Sequence, residues 1–187
     1  METVQVTRDQ INAALEVAND ETKTVLKILF GEKEKPTLSN YKTIKTYEDA
    51  CKALGETEHD FTGLTKDVVA YMKLKTISRA LWGESFKPIP DATGDKTHYY
   101  PWFVLYTQDE IDRMNDVDRE SIWFGALLAA YALNGAGAGF GCLSTNARSS
   151  HAAADHGFRL CQETEEKAKY FGRQFIELWA YYLLFNI

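Results

Sequence analysis

The sequence predicts an α+β fold: a helical N-terminal half, a small mixed or antiparallel sheet carrying a variable loop, and a long amphipathic helix at the C-terminus. Three observations predict it. Apolar residues recur at helical spacing as far as Trp82, punctuated by threonine and glycine. Residues 97–106 then form an extended aromatic run, and from Thr164 onward Ala168, Phe171, Phe175, Leu178, Trp179, Tyr182 and Leu183 return at intervals of three and four.

Taken in order, Val4, Ile11, Leu15 and Val17 mark a first helical stretch, and Val25, Leu26, Ile28, Leu29 and Phe30 a second that stops at Gly31. Pro36 and mixed charges make residues 32–41 a connection. Thr46 caps a short helix with Glu48 and Asp49 in its first turn and Gly55 at its end. Thr65 caps another that runs to about Trp82 and ends at Gly83, with Val69, Met72, Ile77 and Leu81 on its apolar side. Two prolines and Gly94 break the chain between Phe86 and Asp95. The strand that follows contains Pro101, which argues for an edge position or a bulge. Thr107 caps a short acidic helix to Met114, residues 120–147 suit helix and strand alike, and residues 157–161 read as a short strand before the last helix.

With 187 residues the chain is expected to be a single domain, 1–187, helical to about residue 85 and strand-loop-helix from about 86. A net charge of −6 disfavours nucleic acid as a partner. Asp109, Glu110, Asp112, Asp116 and Asp118 lack the glycine and spacing of a calcium loop and read as a solvated helix face. Cys51, Cys142 and Cys161 show no C-x-x-C spacing, which fits buried, reduced thiols. The N-terminus carries no secretion address. Residues 121–147 hold no charge, but only about the first twelve are strongly apolar, so no membrane span is expected.

Gly135, Gly137, Gly139 and Gly141 fail both nucleotide-loop spacings and read as a turn or close packing. His151, Asp155 and His156 match no zinc pattern, and no nucleophile elbow surrounds Ser149 or Ser150, so no metal, cofactor or catalytic residue is assigned. An enzyme using His151 or His156 as general base lacks a matched nucleophile. What remains is a candidate ligand-binding loop from Leu143 to His156, with Asn146, Arg148, Ser149, Ser150, His151, Asp155 and His156 as hydrogen-bonding groups. Tyr99 and Trp102 add rings that can stack on a sugar or a base.

Four segments then carry a resemblance: Lys45 to Gly55 (KTYEDACKALG), Tyr99-Tyr100-Pro101-Trp102-Phe103, Gly157-Phe158-Arg159-Leu160-Cys161, and Ala168 to Trp179 (AKYFGRQFIELW). Together they resemble a family of short, uncharacterised proteins of Bacteroidetes phages and mobile elements, over the span from Tyr41 to the C-terminus. Within it, Arg148-Ser149-Ser150 followed by Gly157-Phe158-Arg159-Leu160 is similar to C-type-lectin-like domains, which display variable residues for recognition. Phe158 and Gln162 depart from the family's serine and phenylalanine.

The resemblance implies a phage-encoded, non-enzymatic structural or recognition module, associated with the virion and contacting its partner through residues 143–156. The alternative is a factor in the host cytoplasm that sequesters a small host molecule, such as an immune nucleotide signal, beside Arg148 and His151. Expected partners are other phage proteins or a second copy of the chain, with a small-molecule or glycan ligand. The apolar run from Ile122 to Leu133 and the aromatic terminal helix motivate the homo-oligomer.

Overall fold

Threonine hydroxyls start four of the described helices. The computed structural model describes residues 6–30, 35–89, 93, 95–123, 138–149 and 158–184, and the chain divides into two units, Met1–Lys35 and Pro36–Ile187.

In the first unit, Thr7 opens α1 (Arg8–Val17) with a reciprocal box: its hydroxyl accepts from the Gln10 N–H at 3.3 Å while the Gln10 side chain accepts from the Thr7 N–H at 2.9 Å. Asn19 accepts from the Thr22 N–H and leads into α2 (Asp20–Phe30). No residue of α2 with a described side chain is buried; Val25, Ile28 and Leu29, spaced three and four apart, are 53%, 77% and 67% exposed. Gly31, the expected end of this helix, lies outside the described residues.

The second unit begins with a 3-10 turn, Tyr41–Thr43, and α3 (Tyr47–Leu54), capped by the Thr46 hydroxyl on the Asp49 N–H at 3.1 Å. Gly55 ends α3 at φ 68°, a left-handed conformation that favours glycine. The long α4 (Lys66–Trp82) follows and stops at Gly83, φ 78°. Thr65 sits at its N-cap without a side-chain bond. Thus the expected helical half is present, and α3 and α4 pack against each other through Ile44, Tyr47, Cys51, Leu74, Ile77 and Leu81.

Among the described residues the sheet is antiparallel, three strands in the order β1-β3-β2: β1 (Thr97–Tyr106), β2 (Ile122–Trp123) and β3 (Gly139–Ser149). Pro101 has both features expected of a strand proline, since β1 is at an edge and the register slips between Trp102 and Val104. Between β1 and β2, Thr107 and Asn115 cap the short helices α5 (Gln108–Asp112) and α6 (Asp116–Arg119). Beyond β2, residues 124–137 lie outside the described residues, so most of the Ile122–Leu133 run does too. Gly141 on β3 is a close-packing glycine: a Cβ there would meet Ile122 Cδ1 at 2.5 Å and a Tyr106 ring carbon at 3.0 Å.

Two segments differ from expectation. Residues 143–149 are strand, because β1 offers them a full register from Trp102 opposite Ser144 to Thr97 opposite Ser149. Phe158–Leu160, read as strand, is a 3-10 turn, after which Gln162 exchanges two backbone hydrogen bonds with Tyr99, at 2.8 and 3.0 Å. That segment is pinned from α4: the Trp82 indole N–H donates to the Cys161 carbonyl at 2.7 Å and the Gln162 amide donates to the Ser78 hydroxyl at 2.8 Å.

The C-terminal helix is built as two pieces, α7 (Glu165–Gln174), capped by Thr164, and α8 (Ile176–Leu183), separated at Phe175, whose φ of −114° leaves the helical region. Phe171, Phe175 and Trp179 all enter the core across this break. Trp179 is wholly buried, its ring centroid 4.9 Å from Phe103 and 5.0 Å from Phe171, and its indole N–H donates to the Phe171 carbonyl at 3.2 Å. It anchors the core between α4, α8 and β3.

Candidate functional site

The residues singled out by sequence do not form one surface in the described part of the chain. Asn146, Arg148 and Ser149 are on β3, their backbones opposite Tyr100, His98 and Thr97. Ser150, His151, Asp155 and His156 lie outside the described residues. Tyr99 and Trp102 stand an odd number of residues apart, so their side chains leave opposite faces of β1. Trp102 is 50% exposed, whereas Tyr99 is half-buried beside Gln162 and Tyr100 between them is buried.

A different constellation lies where the 3-10 turn, β2 and α7 meet. Tyr41, Lys42, Ser121, Ile122, Trp123, Lys169, Tyr170 and Arg173 line a cleft of about 560 Å³, completed by Glu120, Glu166, Gln174 and Ile176. Its volume falls within the range usual for small-molecule sites. Three cations face two carboxylates there, a local positive excess in a chain whose net charge is −6.

The fold holds several of these side chains rigidly. The Tyr170 hydroxyl donates to the Ile44 carbonyl at 3.0 Å, which ties α7 to the 3-10 turn, and its ring meets Tyr41 edge-on at 5.3 Å. The Gln174 amide donates to the Lys45 carbonyl at 3.1 Å. Arg173 Nε donates to the Cys142 carbonyl on β3 at 2.9 Å. Gly172 makes this approach feasible, because a Cβ there would collide with Cys142 Sγ and come within 2.8 Å of Pro101 Cβ. Trp123 is fixed by an edge contact with Tyr181 at 6.4 Å.

The electrostatics follow from that packing. Burial pushes the Cys142 thiol up to about 11, while Arg173, and more weakly Lys169, pull the other way, so both cations act on the same point of β3. Burial raises the Tyr170 phenol to about 12, assisted by Tyr41 and Asp49. Tyr170 is therefore a neutral hydrogen-bonding group at physiological pH. Among the described residues no carboxylate pairs with Lys42, Lys169 or Arg173.

In two other clefts most of the cations have partners within the chain, though not all of these are carboxylates. One, of about 540 Å³, is walled by Trp82, Phe86 and Phe158, but its Arg79 is paired with Glu56 and its Arg159 reaches the Tyr71 hydroxyl at 3.4 Å. In the other, between α4 and α8, Lys66 lies over the Tyr181 ring at 5.6 Å and Lys73 over Tyr47 at 5.2 Å. Behind the first of these, His98 is buried between Phe86 and Phe158, and its Nδ1 has no hydrogen-bond partner among the described residues.

No cluster of three or more metal-ligating side chains occurs among the described residues, and no described helix is long and apolar enough to cross a membrane. All three cysteines are free and buried. Sequence reasoning missed Tyr41, Lys42, Trp123, Lys169 and Arg173. One available signal was the spacing of Lys169 and Arg173, like charges four positions apart and so on one face of the last helix. Comparison with known protein families, curated proteins and solved structures gives no match.

Proposed function

We propose that the chain is a non-enzymatic recognition module, of the phage-encoded kind its motifs resemble, and that it holds a small anionic molecule in the cleft between the 3-10 turn, β2 and α7. The observation that carries this reading is a set of cations with no carboxylate partner among the described residues, beside three aromatic rings, in a protein that is acidic as a whole. Such cations are poised for an anion from outside, and rings fixed by packing present contact area at little entropic cost. The small-molecule alternative is favoured over a surface built on residues 143–156, since Tyr99 and Trp102 face opposite ways.

The test is release of bound small molecules from heat-denatured protein, followed by mass spectrometry. Wild type is expected to yield a discrete species that a Lys169→Glu variant of equal thermal stability does not carry. Identical profiles from the two proteins would refute the proposal.

A second reading, assembly with other phage proteins or with itself, is favoured by α2, where Val25, Ile28 and Leu29 form an exposed apolar row. An Ile28→Asp substitution is expected to lower the mass found by sedimentation if that row is an interface between copies. A wild-type monomer at all concentrations would leave self-assembly without support.

A further inference from the structure

Resting on the recognition reading above, we infer that the ligand is a phosphate monoester carrying a flat ring, with the phosphate between Arg173 and Lys169 and the ring against Trp123. The Nε bond to the Cys142 carbonyl at 2.9 Å orients the Arg173 guanidinium, and its terminal nitrogens make no bond among the described residues. A fixed, open fork of this kind matches two oxygens of one anionic group.

Lys169 precedes Arg173 by one turn of α7, and like charges at that spacing disfavour a helix. A group bearing more than one negative charge relieves both at once. A phosphate monoester carries about −1.5 to −2 at neutral pH, whereas a carboxylate carries a single charge. Lys42 lines the same cleft and adds to this preference. Glu166 stands one turn before Lys169 on α7 and Glu120 also lines the cleft, so charge beyond the one anionic group is disfavoured and the rest of the ligand is uncharged. Trp123, Tyr41 and Tyr170 supply faces for a planar ring, as stacking platforms do for bases. A ribonucleoside 5′-monophosphate has this combination of one dianionic group and one neutral ring.

Calorimetric titration of the full chain with inorganic phosphate and with the four ribonucleoside 5′-monophosphates tests this. At least one nucleotide is expected to bind saturably, more tightly than phosphate and than its own nucleoside. Lys169→Gln should weaken both phosphate and nucleotide by about tenfold, and Arg173→Lys, which keeps the charge but loses the fork, should do likewise. Trp123→Leu should weaken the nucleotide by about tenfold and leave phosphate unchanged. Circular dichroism of each variant controls for folding. No saturable binding of any nucleotide, or a nucleoside binding as tightly as its monophosphate, overturns the inference. If the molecule released from the protein depends on Lys169 yet contains no phosphorus, this inference falls and the recognition reading stands. If nothing is released and nothing binds, both fall.

Discussion

At the scale of single residues, the fold depends on a few contacts that can be broken one at a time. Trp179 sits at the junction of Phe103, Phe171 and Tyr182, wholly buried, so Trp179→Ala is expected to cost about 3–5 kcal/mol in a denaturant titration. Gly172 is a sharper probe. Alanine ordinarily favours a helix, but here its Cβ meets Cys142 Sγ and Pro101 Cβ, so Gly172→Ala should destabilise by about 1–3 kcal/mol. Cys142→Ala in the same chain should recover part of that loss, because the two sites are in contact and their effects do not add.

The titratable residues set a pH window. Burial, with repulsion from Lys96, holds His98 below its ordinary value of 6.5, so the unfolded chain takes up that proton first. Stability present above that pH is lost as pH falls through it. Burial pushes Cys161 and Tyr170 up to about 12 and Cys142 to about 11, from ordinary values of 9, 10 and 9. Their contribution is complete below pH about 9 and is lost as pH climbs through the range up to about 12. The urea midpoint should therefore plateau between these limits, and His98→Leu should flatten the acid side. The buried cysteines were legible in the sequence, because an odd number of them without C-x-x-C spacing reads as unpaired thiols that behave as small hydrophobes. His98 was not, because nothing local distinguishes a histidine enclosed by Phe86 and Phe158 from one in water.

At the scale of elements, the helices that sequence punctuation located are the ones with local signals. Thr46, Thr107 and Thr164 each accept the expected N-terminal hydrogen bond, and Gly55 and Gly83 each adopt the positive φ that ends a helix. Thr46→Ala should cost about 1 kcal/mol, read from thermal unfolding. Where the expectation erred, the deciding interaction is distant in sequence. Residues 143–149 are mostly polar or small and read as a loop, yet β1 pairs with them from Ser144 to Ser149. Residues 158–160 carry strand-like residues but are bent into a 3-10 turn, with the following Cys161–Gln162 held by Ser78 and Trp82 from α4. The break at Phe175 is likewise invisible to a helical period that continues through it. It positions α7 so that Arg173 reaches Cys142 while α8 packs Trp179 into the core.

At the scale of the molecule, the α+β class was readable because helical and extended periodicities are segregated along the chain. The cleft was not. Its lining comes from Tyr41 and Lys42, from Trp123 and from Lys169 to Arg173, which the sequence separates by some eighty and then some fifty positions and which only the fold brings together. The four tryptophans happen to report on four places: Trp123 in this cleft, Trp82 in the aromatic-walled one, Trp102 on the exposed side of β1, and Trp179 in the core. The most direct test of the account follows from that distribution. The tryptophan indole N–H signals of ¹⁵N-labelled protein would be recorded while the small-molecule fraction of the cells that make it is titrated in. The account predicts that the Trp123 signal moves saturably while Trp82, Trp102 and Trp179 hold still. Movement of Trp102 or Trp82 without Trp123, or of none of the four, would contradict it.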